Sequence, residues 1–498
     1  LTERNEYAPL RQKGKNDGLA KTKGNKYTRL MMNSVIFGIG QFSSKILVFV
    51  MLPIYTGYLT TAEYGTVDLI QQSVNVIWPV ITLGITNGII RFGLDRSYRK
   101  SDVFSTGIKC FLAGYAVFLL LMPICFAVDF LHDYVMILYL FVITTSMRQI
   151  CAQFVRSRNL IKLYAFEGVL STFMTCGLTI LFLVGFHWGI HGYLLAIIVS
   201  DAISIVFLFW MASLWKYVRF GKTRKHTAGQ MIRYSIPMIP TTIFWWIINV
   251  SGRYIVGWFL GTDANGLYAA AYKVPSVVII VAGIFIDAWQ VSAVQENDPK
   301  TRGAFFSNVF NALQSIVFAT ASVLIVSSKL VTSILVSDSF YDSWQFMPML
   351  ILATTFCTMV NFLGSIYMVE KKSTMTFITT IIGAAANLLL CFVLVPLVGS
   401  MFGVYAGVNA AAFASFFSYF LVFVIRAVHT HTLIPIRWNL PKFLLNLVLI
   451  VVQAVLMIAE IPFWIPIEIA LCAVLVIINL KSLLDTVKHL LHRRRRRS

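Results

Sequence analysis

Apolar runs of about twenty residues recur along nearly the whole chain, and each is long enough to cross a bilayer as a helix. They fall at 31–54, 67–90, 103–127, 134–155, 164–186, 189–211, 235–258, 267–294, 304–327, 345–367, 374–396, 403–425, 441–459 and 463–482. Of the 498 residues 58% are hydrophobic and only 12% charged. A soluble core has no use for so many apolar side chains. In hydrocarbon every backbone N–H and C=O must bond within the chain, so the runs read as helices. The expected fold is all-α and polytopic, with about fourteen transmembrane helices. Glu460, Pro462, Pro466 and Glu468 interrupt the last two runs, which makes twelve the alternative count.

Lys and Arg gather on the cytoplasmic side of a membrane protein. With the N-terminus inside, the basic residues fall in the N-terminal tail, the 2–3 loop (Arg91, Arg96, Arg99, Lys100), the 4–5 loop (Arg156, Arg158, Lys162) and the 6–7 loop (Lys216 to Arg233). Lys300, Arg302, Lys371, Lys372, Arg426, Arg437, Lys442 and the C-terminal tail complete the set, with Arg493 to Arg497 at its end. Lys329 alone reads as external. Both termini are therefore expected in the cytoplasm. The net charge of +20 is spent on this asymmetry, and anionic lipid is a nearer partner for it than nucleic acid. No cleavable signal peptide is expected, because the first run is too long for one and follows a polar tail. Leu1 is an unusual first residue, leaving the true N-terminus open.

The runs repeat. Gly57-Tyr58-Leu59-Thr60-Thr61-Ala62-Glu63-Tyr64-Gly65 after run one resembles Gly257 to Gly266 after run seven, and Gly192-Tyr193-Leu194 resembles Gly403-Val404-Tyr405. Six runs separate the partners, so two halves of the same orientation are expected, related by an axis along the membrane normal. The organisation read from this is a basic tail (1–29), an N-terminal six-helix bundle (30–211), a basic linker (212–234), a C-terminal six-helix bundle (235–426), an extra helix pair (441–482) and a second basic tail (483–498). Pro53, Pro79, Pro237, Pro240 and Pro275 mark bends in or beside runs one, two, seven and eight.

Five cations remain inside the runs: Lys45, Lys109, Arg148, Arg253 and Lys273. A charge at bilayer depth costs at least ~2.5–3.5 kcal/mol, so it faces a cavity or a counter-ion. At about 1.5 Å per residue, Lys109 and Arg148 fall in the cytoplasmic half, Lys45 near the midplane, and Arg253 and Lys273 in the outer half. Arg offers a planar fork to phosphate oxygens and Lys a flexible point charge. All five are substrate-binding candidates, with snorkelling the competing reading for Lys109 and Lys273 and internal ion pairing for the rest. Asp201 and Asp287 are the embedded carboxylates expected to carry a coupling H+ or Na+, or to neutralise a neighbouring Arg.

Catalytic signatures are missing. Gly221-Lys222-Thr223 lacks the glycine five residues earlier that a phosphate-binding loop needs. The seven cysteines are scattered without a C-x-x-C pair, and His187 and His191 flank a Gly-containing turn, so no metal is expected. Short outer loops disfavour a membrane glycosyltransferase or polymerase. The chain reads as a transporter, without an enzyme's site.

Four stretches carry a family likeness: Asn33 to Leu69 with Ala62-Glu63-Tyr64-Gly65; Tyr234-Ser235-Ile236-Pro237-Met238-Ile239-Pro240 running through Arg253-Tyr254-Ile255-Val256-Gly257 to Lys273; Trp344-Gln345-Phe346-Met347-Pro348; and Gly403-Val404-Tyr405-Ala406-Gly407. In their order and spacing the chain resembles the polysaccharide-transport branch of the multidrug/oligosaccharidyl-lipid/polysaccharide exporter superfamily, the O-antigen and capsule-repeat flippases, over about residues 28–425. The resemblance implies a flippase moving an undecaprenyl-pyrophosphate-linked oligosaccharide across a bacterial inner membrane, with glycan polymerase and glycosyltransferases as further partners. A cation-coupled drug or metabolite antiporter of the same superfamily is the alternative. Similar proteins usually carry Asp immediately before the Arg of run seven; here Gly252 stands there, so Arg253 needs another partner or faces substrate.

Overall fold

A computed structural model describes residues 47 and 49–495, apart from 96, 128–130, 220, 222–223, 296–298, 371 and 461; side chains are further left out at 284, 287–301, 373 and 481–495. The described chain is helical, without a strand. The helices are α1 (described over 49–58), α2 (Thr61–Ile81), α3 (Ile85–Leu94), α4 (Lys100–Leu120), α5 (Met122–Phe126), α6 (Val135–Ser157), α7 (Ile161–Thr179), α8 (Gly189–Met211), α9 (Lys225–Ser235) and α10 (Ile239–Leu260). There follow α11 (Thr262–Ala271), α12 (Ser276–Gln295), α13 (Pro299–Val326), α14 (Ser328–Leu335), α15 (Met347–Val369), α16 (Ser373–Phe402), α17 (Val404–Leu433), α18 (Leu440–Ala459) and α19 (Trp464–Arg495).

Among the described residues eleven helical segments are long and apolar enough to cross a membrane, and twelve if α2 and α3 count together. The first run of the sequence lies mostly outside the described residues. The last is a shorter apolar segment, Trp464–Leu480. The chain is an all-α, multi-pass membrane protein.

Proline and glycine punctuate these helices for identifiable reasons. Pro79 sits in the last turn of α2, and Leu83 and Gly84 beyond it take positive φ. The chain there bends by 55° into α3. Pro237 lies in a 3₁₀ turn that feeds α10, and Pro275 separates α11 from α12. At the matched turns Gly261 and Gly403 take φ of 95° and 93°, a conformation that a side chain would strain. Thr60 and Glu63 cap α2 reciprocally: the Glu63 N–H donates to the Thr60 hydroxyl, and the Thr60 N–H to the Glu63 carboxylate.

Helices α18 and α19 pack on α13 and α15. Their interrupting polar residues are accounted for. Glu460 occupies the turn after α18 and pairs with Lys329, whose ammonium also lies 4.2 Å from the Trp344 ring and 4.6 Å from that of Trp464. Glu468 is buried and accepts from the Gln453 amide at 3.1 Å, while Gln453 accepts from Ser322 at 2.7 Å. Asn446 and Asn479 exchange amide hydrogen bonds of 3.2 and 3.0 Å. Interhelical polar bonds in membranes contribute about 0.6–2 kcal/mol. Asn446→Leu is therefore expected to lower the thermal midpoint in detergent, and Asn446→Leu with Asn479→Leu to recover part of the loss; equal or greater loss in the double variant would refute the pairing.

One sequence reading needs correction. Arg426 was placed with the loop charges, but it is fully buried near the end of α17. It follows an apolar run so closely that hydropathy alone cannot separate helix from loop there.

Candidate transport site

One face of α2, carrying Thr61, Gly65, Asp68 and Gln72 at helical spacing, meets the second half of the chain on α10 and α11. The contact begins with small residues. A Cβ added at Gly65 would stand 2.0 Å from the Thr262 carbonyl oxygen, and one at Gly266 1.9 Å from that of Thr61. The contact is reciprocal, with the same four-residue offset on each helix. Around it the Thr61 hydroxyl donates to Asp263 at 2.5 Å and the Asn265 amide to the Gly65 carbonyl at 3.0 Å. At the same end Ser337 bonds the end of α1 twice, through the Thr56 hydroxyl and carbonyl.

Further along this seam Arg253 of α10 forms an ion pair with Asp68 of α2, joining the two halves. The guanidinium carbon lies 4.4 Å from the Tyr272 ring centre. Tyr254 donates to the Leu69 carbonyl at 3.0 Å and shares a 2.7 Å bond with Ser73; the Trp246 indole donates to the Gln72 carbonyl at 3.0 Å. These aromatic groups hold the seam. The missing Asp before Arg253 is thereby explained: the carboxylate comes from the other half, 185 residues away. Lys273 is half-buried and close enough to interact electrostatically with both Asp68 and Arg253. One oxygen of Asp68, the Arg253 Nε and the Tyr268 hydroxyl are buried without a protein hydrogen-bond partner. Buried polar atoms are rarely left so, and these provide attachment points for water or a polar ligand.

Arg148 belongs to a separate cluster inside the first half. Its Nε donates to Glu167 at 2.8 Å and its Nη1 to Asp201 at 3.1 Å, and Thr145 donates to Asp201 at 2.7 Å. Both carboxylates are almost fully buried, while 23% of the Arg148 side chain is exposed. Two carboxylates around one guanidinium leave one formal negative charge in excess. Asp201, which nothing neighbouring in sequence neutralises, is thus met by an arginine 53 residues earlier.

Four of the five embedded cations fall among the described residues. Arg253 and Lys273 share the seam, Arg148 is ion-paired elsewhere, and Lys109 is half-buried on α4. Lys45 and the side chain of Asp287 lie outside the described residues. Sequence reasoning missed the glycine crossing at Gly65 and Gly266, although both glycines stood in the repeated motif that could have exposed it.

Between the halves, at the end of the bundle bearing the basic loops, a cavity of 370 Å³ opens. Trp78, Asn87, Gln149, Gln153 and Arg156 face it from the first half, and Met238, Ile239 and Thr242 from the second. A neighbouring recess of 510 Å³ is lined by Asn87, Arg91, Asp95 and Tyr234. Here the Asp95 carboxyl is held below its usual pKa by hydrogen bonds from Ser97. Among the described residues no three His, Cys, Asp or Glu side chains gather as a metal site. The protein is closed at the glycine crossing and recessed at its basic end.

The chain belongs to the polysaccharide biosynthesis protein family, whose model matches residues 30–289. Its fold is that of the lipid II flippase MurJ in an inward closed conformation, with a TM-score of 0.65 at 14% identity over 89% of this chain and 98% of that one. An inward-facing multidrug resistance MATE family transporter of the MOP superfamily gives 0.63 at 11% identity, covering 78% of this chain and 95% of that. The outward-facing form of such a transporter gives 0.57 at 12% identity over 80% and 95%. No curated protein sequence matches the chain. The family resembled in the sequence analysis and the matched family agree in polysaccharide biosynthesis, and the fold is the one these solved structures share.

Proposed function

We propose that the protein flips a lipid-linked oligosaccharide, an undecaprenyl-pyrophosphate-linked repeat unit of O-antigen, capsule or exopolysaccharide, across the bacterial inner membrane. The observation that carries this reading is the cavity at the basic end, into which Asn87, Gln149, Gln153, Arg156 and Thr242 bring polar groups, opposite the tight α2–α11 crossing. A pyrophosphate and its sugars cannot cross hydrocarbon, so a path for them must be polar, and the lipid tail stays in the bilayer. The polysaccharide biosynthesis family and the lipid II flippase among the neighbours favour this cargo over a drug or metabolite. The basic end is then cytoplasmic, as are both termini, and glycan polymerase and glycosyltransferases act before and after this step without being part of it. The chain's role is movement, with no bond made or broken.

In this reading the seam is the gate of an alternating-access cycle. The head enters from the basic end while Gly65 and Gly266 are in contact; separation of α2 from α11 then opens the far side. Arg253 and Lys273, with the Tyr268 hydroxyl, are the groups that such a separation would present to a pyrophosphate. Complementation of a flippase-null strain, scored by surface glycan, tests the function; failure to restore glycan by a well-inserted protein would reject it.

The excess carboxylate at Arg148 suits proton coupling, since a proton taken up by Asp201 or Glu167 cancels the surplus charge. Asp201→Asn is expected to abolish the response of transport to an imposed proton gradient in proteoliposomes. A response that persists, or that tracks sodium, would move coupling away from this cluster.

A further inference from the structure

A second cavity, of 340 Å³, lies wholly within the C-terminal half, walled by α10, α12, α15, α16 and α17. Arg426 reaches it from α17, and Asn361, Ser365, Thr358 and Thr376 line it with Trp245. Arg426 is 1% exposed. Its Nε donates to the Thr379 hydroxyl at 2.9 Å and its Nη1 to the Val360 carbonyl at 2.9 Å; its Nη2 donates to the Thr376 carbonyl and the Thr380 hydroxyl, both at 3.3 Å. All four acceptors are neutral. Among the described residues no carboxylate lies within 4 Å of the guanidinium, in contrast to Arg148 and Arg253.

An arginine stays charged inside a protein, and burying that charge without a counter-ion costs several kcal/mol. The surroundings are nonetheless shaped for it. Four bonds fix the fork, and a Cβ at Gly364 would stand 2.8 Å from Nη1, so glycine there leaves room for the guanidinium. One of its five N–H donors remains unused. Arg426 is 22 residues along α17 from Val404, about 33 Å, which puts the cavity at the basic end of the bundle.

We propose that this cavity is an oxyanion-binding site, which takes a phosphate or carboxylate group entering from the basic end, with Arg426 supplying the counter-charge and the Asn361 and Thr376 side chains its polar wall. The site is distinct from the seam at Arg253, and it stands whether or not the cargo is a lipid-linked glycan.

The test uses the full chain in phosphatidylcholine nanodiscs. Thermal midpoints are titrated with inorganic pyrophosphate and with glucuronate, and compared with nanodiscs containing phosphatidylglycerol. Saturable stabilisation of the wild type is expected, with the apparent affinity about tenfold weaker or worse in Arg426→Gln. Pyrophosphate as the effective probe identifies a phosphate source, glucuronate an acidic sugar, and phosphatidylglycerol a lipid headgroup. No stabilisation by any of the three, or equal stabilisation of Arg426→Gln, overturns the proposal. Should Arg426→Gln fail to fold, Asn361→Leu removes the polar wall with Arg426 in place; loss of stabilisation supports the site and retention overturns it.

Discussion

Arg253→Ala is expected to lower surface glycan more than about tenfold in a complemented flippase-null strain, with the protein still inserted in the membrane. The argument rests on the pair that Arg253 makes with Asp68. Removing one member of a buried ion pair leaves the other uncompensated, at a cost of about 3–5 kcal/mol. Asp68 is 6% exposed, so its stranded charge has little access to water. The variant thus loses both a cation for the head group and the bond that joins the halves. The charge-free double variant, Asp68→Asn with Arg253→Gln, separates these losses. It should recover most of the stability, read as thermal midpoint in detergent, yet not the transport. Full transport by the double variant would show that the pair is only a strut, and unchanged glycan in Arg253→Ala would remove Arg253 from the site.

Gly65→Ala acts through shape, with no change of charge. The added carbon would lie 2.0 Å from the Thr262 carbonyl oxygen, a distance no contact sustains, and backbone cannot swing aside as a side chain can. Overpacking of this kind costs about 1–3 kcal/mol, and here the cost falls on the closed seam alone. A bias of that size shifts a two-state population about 5–150-fold, so the sealed end should open. In a chain cleared of its seven cysteines, a cysteine replacing Ala264, which is buried on α11 beside the crossing, should then react with an impermeant maleimide at least about fivefold faster. The same outcome is expected for Gly266→Ala, given the reciprocal contact. Unaltered labelling in both variants would mean that the seam yields without opening, and the gate would have to be sought elsewhere.

The spans were legible in the sequence because a bilayer-crossing helix announces itself through length and apolarity alone. The bend after α2 was legible too, since Pro79 has one chemical consequence. The site was legible only in part. Hydropathy marks a cation as embedded but carries no information on what stands opposite it, and the partners of Arg148 and Arg253 lie 53 and 185 residues away. Arg253 was left open between a distant partner and the substrate, and packing supplies the partner, Asp68. Arg426 escaped notice because it sits where an apolar run gives way to polar residues, yet α17 continues seven residues past it to Leu433.

The Lys329 contacts have a consequence for the shape that lipid meets. By pairing with Glu460 and lying between Trp344 and Trp464, Lys329 rivets α18 and α19 to the C-terminal half alone. Among the described residues the surface carrying α18 and α19 is thereby buttressed, so lipid on that side meets two further helices held fast to α13 and α15.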